Sequence, residues 1–155
     1  MNITICSGTG TGPNELTAFD TALLNAGIID YNLIYLSSSI PAGSTIERKQ
    51  FHALPDEIGH KLYVVIAKQI ETVPGNSAWA GIGWTQEKAR GRGLFVEHHG
   101  KSQLQVQNDI QTSLGFMKKN RQINYGDNNE MLIGIECVEQ PVCAVVLAVF
   151  KSQRW

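Results

Sequence analysis

MLIGIECVEQPVCAVVLAVFK, residues 131–151, carries two apolar runs, Met131–Val138 and Val142–Lys151, with Gln140-Pro141 as a tight connection. Both runs are dense in aliphatic and β-branched residues and read as strands. A connection this short cannot hold the helix that a parallel crossover needs. Lys61–Glu71 (KLYVVIAKQIE) is a further strand of the same kind, and Ser77–Trp84 (SAWAGIGW) and Leu94–His98 (LFVEH) are two more, joined by the charged turn QEKARGRG. With connections too short for repeated crossovers, the sheets are expected to be mostly antiparallel.

Working outward, the periodicity changes twice. Ser102 with Gln105 three residues on has the capping-box form, and Leu104, Val106, Ile110, Leu114 and Met117 follow at mostly helical spacing, which predicts a helix to about Lys119. Near the start, residues 2–7 (NITICS) alternate as a strand, GTGTGPN reads as a turn, and a helix opens at Glu15. Leu16, Phe19, Leu23 and Ala26 then lie on one face, and Gly27 suits the left-handed stop. Asn32–Leu36 is β-prone, a long excursion follows with a short strand at Ser44–Glu47, and Ile123–Tyr125 adds another strand. The expected fold is α+β: a layered αββα sandwich of mostly antiparallel sheets with two main helices, in one domain over residues 1–155.

The whole-chain properties narrow the function. A formal charge of -1 provides no basic field for a phosphate backbone, so no nucleic-acid partner is expected. No window reaches ~18 uninterrupted apolar residues, and the N-terminus lacks a basic segment followed by an apolar core, so the reading is no membrane partner and a cytoplasmic protein. Cys6, Cys137 and Cys143 are odd in number, lie in apolar runs and have no C-x-x-C spacing, as buried free thiols do. No metal is expected.

Several constellations carry chemistry with two readings each. SGTGTGP at 7–13 lies between a strand and a helix, but it has neither G-K-[ST] nor G-x-G-x-x-G, and Pro13 removes a donor. His98 and His99 adjoin Glu97, yet successive strand residues point to opposite faces, which does not favour one shared metal. Glu97 follows the apolar run GLFV, where a partly desolvated carboxylate can hand over a proton or simply end a strand at the surface. Asp20, at the edge of the first helix's apolar face, reads as a structural ion pair or a contact to a cationic ligand. Ser37, Ser38 and Ser39 close the run NLIYL before Pro41; they read as a polar strand end or as a site where a hydroxyl attacks the preceding carbonyl in a strained turn.

FDTALLNAGIIDYNLIYLSSSIP (19–41) resembles the core signature of the pyruvoyl-dependent arginine decarboxylases, GLFVEHHGK (93–101) resembles that family's second block, and TICSGTGTGPNELTAFD is similar to its opening. The resemblance implies self-cleavage at Ser37-Ser38 into residues 1–37 and 38–155, with Ser38-Ser39 as the slipped alternative. Ser38 would become a covalent pyruvoyl group that condenses with the substrate α-amine and draws in the electrons released with CO2, so no pyridoxal phosphate is implied. Glu97 matches the family's proton donor, and Asn32 matches an asparagine that orients the serine carbonyl. Asp20 matches the aspartate that receives the guanidinium of arginine, on its way to agmatine. The resemblance also implies a homotrimer or hexamer with the active site between subunits. Ser39 departs from the family, where an apolar residue is common, a change that leaves the chemistry intact but opens the substrate to another amino acid such as ornithine or lysine; a non-catalytic trimeric binding protein on the same scaffold is the alternative from another class.

Overall fold

In the computed structural model, which describes residues 1–155, the chain runs β1 (Asn2–Thr11), α1 (Glu15–Asn25), β2 (Asn32–Tyr35), β3 (Ser39–Ile40) and β4 (Thr45–Arg48), then a short 3-10 turn at Pro55–Glu57. It continues as β5 (Lys61–Glu71), β6 (Ser77–Gln86), β7 (Gly93–Gly100), α2 (Gln103–Arg121), β8 (Asn129–Glu136) and β9 (Val142–Gln153). One sheet has the order β2-β5-β9-β1-β4 and the other β3-β7-β6-β8. Five strand pairings are antiparallel, while β1–β4 and β2–β5 are parallel.

Alternation along each strand sorts side chains into three apolar layers. Ile3, Ile5, Val65, Ala67, Ile82, Phe95, Val146 and Ala148 fill the space between the sheets. Ala18, Ala22 and Ala26 of α1 meet Leu62, Val64, Val145 and Leu147 on the outer face of the five-stranded sheet. Val106, Ile110 and Leu114 of α2 cover Val96 on the outer face of the other. The architecture is therefore an αββα sandwich, and each fully buried Ile, Leu or Val stabilises it by roughly 2 kcal/mol relative to an exposed one.

Both helices begin as their sequences dictate. Asn14 caps α1 by accepting from Thr17 N, with the Thr17 hydroxyl returning to the Asn14 backbone, and Ser102 caps α2 by accepting from Gln105 N. Gly27, at φ 80, occupies the left-handed position after α1.

Four expectations are corrected. The turn expected over GTGTGPN is confined to residues 12–14; β1 runs through Gly8 and Gly10 to Thr11 because a bare backbone lets α1 settle on the strand. A Cβ at Gly8 would lie 2.2 Å from the Ala22 carbonyl oxygen, and one at Gly10 would lie 2.3 Å from the Ala22 nitrogen. The same closeness makes the alanine row the buried face of α1 and leaves Leu16 75% exposed. Ile123–Tyr125 is not a strand, since only Tyr125 bridges, to Glu87. The tight connection at 137–141 does not pair β8 with β9 but passes the chain from one sheet to the other.

Candidate active site

The three serines are where the chain changes sheets. β2 is the edge of the five-stranded sheet and β3 is the edge of the four-stranded one, with Leu36–Ser38 as the link between them. Both ends of the link are held: Leu36 N–H donates to Val64 O at 2.9 Å on β5, and Ser39 pairs with Leu94 on β7. So few residues between two fixed sheets force a sharp turn. Ser38 has φ 23, in the region where an L side chain is strained, and Ser39 N–H closes the turn by donating to Ser37 O at 2.6 Å. Phe95 N–H donates to Ser38 O at 2.8 Å and fixes the turn against β7.

β7 supplies the partner side chain. Val96 and His98 face α2, the latter with Nε2 2.8 Å from Ser113 Oγ. The intervening residues face the other sheet: Phe95 packs in the core between the sheets, and next along comes Glu97, whose Oε1 accepts the hydrogen bond of the Ser38 hydroxyl. Both groups are half-buried, so their contact is shielded from bulk water without being sealed from it. Beyond Glu97 the row turns fully polar. His99 Nδ1 lies 2.6 Å from Gln69 Oε1 of β5, and Lys101 Nζ lies 3.2 Å from Glu71 Oε2 at the end of that strand.

The arrangement has three chemical capacities. φ at Ser38 is rotation about its N–Cα bond, the same rotation that sets how its Oγ stands toward the Ser37 carbonyl carbon. The carboxylate of Glu97 can take the hydroxyl proton, and Ser39 N–H is already directed at the Ser37 oxygen, where negative charge would develop on attack. The residue types and geometry fit a serine that becomes a backbone carbonyl group.

The remaining candidates lie apart from this pair within one chain. Asn32, at the far end of β2, donates from Nδ2 to Gly59 O at 2.7 Å, and its N–H donates to His60 O at 2.8 Å. Trp155 Nε1 shares the Gly59 oxygen at 2.9 Å. Beside it, Glu57 accepts from the Tyr31 hydroxyl and from Ser152 Oγ, contacts that hold its carboxyl below the usual range. Burial first, and then this neighbour, push the Tyr31 phenol up to about 12. Asp20 is exposed on α1, on the opposite side of the five-stranded sheet from the Ser38–Glu97 contact. His98 and His99 point to opposite faces of β7, and SGTGTGP is committed to the strand that carries α1.

Sequence reasoning missed the backbone groups of the site, Ser39 N–H and Phe95 N–H, because amides leave no residue-type signal. Their only trace is a polar tripeptide too short to join two sheets without a turn. It also missed the row that Glu97 begins, which needs the knowledge that β7 lies over β5.

Comparison with known proteins agrees with this geometry. The profile of the family described as Pyruvoyl-dependent arginine decarboxylase matches residues 2–154. A relative of that name from Halobacterium salinarum is 38% identical over 97 residues, covering 61% of this chain and 58% of its own, so the chain spans less than two thirds of that relative's length. The relative of that name from Methanocaldococcus jannaschii is 30% identical over 150 residues, 94% of this chain and 87% of its own. The one from Methanothermobacter thermautotrophicus is 52% identical over 46 residues, 30% of each chain. A solved pyruvoyl-dependent histidine decarboxylase at pH 8 aligns with a TM-score of 0.47 and 11% identity over 65% of this chain and 57% of its own, a likeness too slight to build on. With nearly its full length matched and the serine turn seated on the glutamate of the second block, the chain belongs to the pyruvoyl-dependent arginine decarboxylase family.

Proposed function

We propose that the chain cleaves itself at Ser37-Ser38 and then decarboxylates arginine to agmatine and CO2. The observation that carries this reading is the contact of the Ser38 hydroxyl with Glu97 in a turn whose central φ is 23. In the processing step, Ser38 Oγ bonds to the Ser37 carbonyl carbon and the Ser37–Ser38 C–N bond breaks, leaving an ester and a free amine at Ser38. Loss of the Ser38 α-proton then expels Ser37 as a carboxylate, and water replaces the Ser38 nitrogen, which departs as ammonia. The products are residues 1–37 and a chain 38–155 that begins with a pyruvoyl group. Strain at Ser38 is relieved as the peptide breaks, and Ser39 N–H stabilises the oxyanion on the way.

When present, that group supplies an electron-withdrawing carbonyl next to the substrate's α-carbon, the role for which other decarboxylases use pyridoxal phosphate. Glu97, already within reach of position 38, gives the proton that replaces the lost carboxylate. Asp20 offers two oxygens to a planar guanidinium, a match that a Lys or ornithine ammonium cannot make in bidentate form. Because Asp20 and Glu97 lie on opposite sides of one sheet within a chain, the two meet at one substrate only if neighbouring subunits contribute them. A trimer, or a pair of trimers, provides such an interface.

The test is product formation. Purified protein given arginine should release CO2 and agmatine, with ornithine and lysine turned over far more slowly. Preferred turnover of either amine would overturn the assignment of substrate, and binding of arginine without CO2 would overturn the assignment of activity.

A further inference from the structure

We infer that His99 is a positioning residue for the proton that Glu97 carries, exchanging it between solvent and that carboxylate once per turnover. The inference rests on the reading of Glu97 as proton donor and extends it. It begins with an assignment of hydrogens. Gln69 donates from Nε2 to Ile70 O at 3.0 Å, so the amide atom facing His99 at 2.6 Å is the acceptor Oε1. The imidazole must therefore donate from Nδ1, which leaves Nε2 as the nitrogen that gains and loses a proton.

Position supplies the rest. His99 and Glu97 stand two residues apart on the same face of β7, about 7 Å between Cα atoms, a gap short enough for one or two waters to span. Glu97 is half-buried, whereas His99, two residues further along the same strand, is exposed to solvent. The charged groups around the ring are Glu97 on its own strand, then Lys101 just past it and Glu71 on β5, and these last two are paired with each other. From β6 only Ala80 stands opposite it.

Decarboxylation of an amino acid consumes one proton per turnover. The O–H bond of Glu97 breaks as the new C–H bond forms, which leaves a carboxylate. The imidazolium of His99 gives up its Nε2 proton through water to that carboxylate and keeps Nδ1–H on Gln69. Solvent then returns a proton to Nε2, and the cycle closes with no other reactant.

The experiment compares wild type, His99→Gln and Gln69→Leu. Nitrogen-15 NMR of the wild type should report His99 protonated at Nδ1 when neutral, and Gln69→Leu should lose that preference. His99→Gln should divide at 37/38 and keep its KM for arginine, while kcat falls about 10-fold at pH 8, where solvent protons are scarce, and recovers with added imidazole. A kcat and pH profile equal to wild type, a loss that imidazole does not restore, or an Nε2-protonated ring would overturn the inference while leaving an active wild type and its proposed function standing. A cleaved wild type that releases no CO2 from arginine would overturn both.

Discussion

Ser38 occupies a backbone conformation that costs a non-glycine residue on the order of 1–3 kcal/mol, and the cost is met by the two sheets that fix Leu36 and Ser39. Glu97 touches this residue from 59 positions further along, and its role can be separated from that of the serine. Glu97→Gln keeps an oxygen for the Ser38 hydroxyl but has no proton to give. We expect the chain to divide more slowly, because the group placed to take the Ser38 hydroxyl proton is lost, and the divided enzyme to show kcat down by about 10²-fold or more, measured as CO2 release. Undiminished turnover would remove Glu97 as donor. Asp20→Ala, at an exposed helix position with no contact to the site of its own chain, should raise the KM for arginine roughly 10- to 100-fold with the melting temperature unchanged, the effect of losing a bidentate charged contact. At this scale the sequence was informative about types: a carboxylate behind an apolar run, and hydroxyls before a proline. It could not place them, because which face of β7 carries Glu97, and which strand lies beneath it, are facts of tertiary packing. Asn32 illustrates the same limit, since its amide is taken by Gly59 rather than directed at a serine of its own chain.

At the level of elements, β1 and α1 are joined by an approach only glycine permits. Gly8→Ala or Gly10→Ala would put a methyl carbon within 2.3 Å of helix backbone, so the helix must lift from the sheet. The expected loss is about 1–3 kcal/mol in urea unfolding, and a change under 0.5 would contradict the packing described. This junction is also where periodicity misled. Leu16, Phe19, Leu23 and Ala26 suggested the buried face by hydrophobicity; Ala26 is buried and Phe19 and Leu23 pack at its edge, but the distance of closest approach put Ala18 and Ala22 at its centre and left Leu16 exposed, and small residues cast a weak pattern. The long strands and α2 were legible because apolar side chains dominate their contacts. At the end of β5, the buried Glu71 accepts from Val73 N–H and Thr72 N–H, both at 2.9 Å, and pairs with Lys101. The Val73 amide, with Lys101 and Thr72, holds its carboxyl below the ordinary range. Since the folded value lies below the unfolded one, near 4.3, the stabilisation is present above that pH and is lost as pH falls through the lowered folded value. The urea midpoint of wild type should drop between pH 5 and 3 more than that of Glu71→Gln; equal slopes would remove Glu71 as a source of acid sensitivity.

For the molecule as a whole, the layering was legible from the residues, whereas an active site shared between subunits entered only as what the family resemblance implies. Short connections pointed to antiparallel sheets, and seven pairings in two stacked sheets bear that out apart from two parallel edges. That Asp20 and Glu97 fall on opposite sides of one sheet is visible only in three dimensions, and it predicts complementation. Co-assembled Asp20→Ala and Glu97→Gln chains should recover about a quarter of wild-type activity, because random pairing at an interface joins two intact contributors that often. No recovery in a mixed assembly confirmed by native mass spectrometry would place both residues in one chain's site. The outcomes for turnover depend on a break in the polypeptide at the serine turn. Intact-mass measurement of the purified protein tests it: wild type should yield fragments 1–37 and 38–155, the larger without a free amino terminus, while Ser38→Ala stays whole. A wild-type chain that remains a single uncut polypeptide of 155 residues while releasing CO2 from arginine would contradict the account.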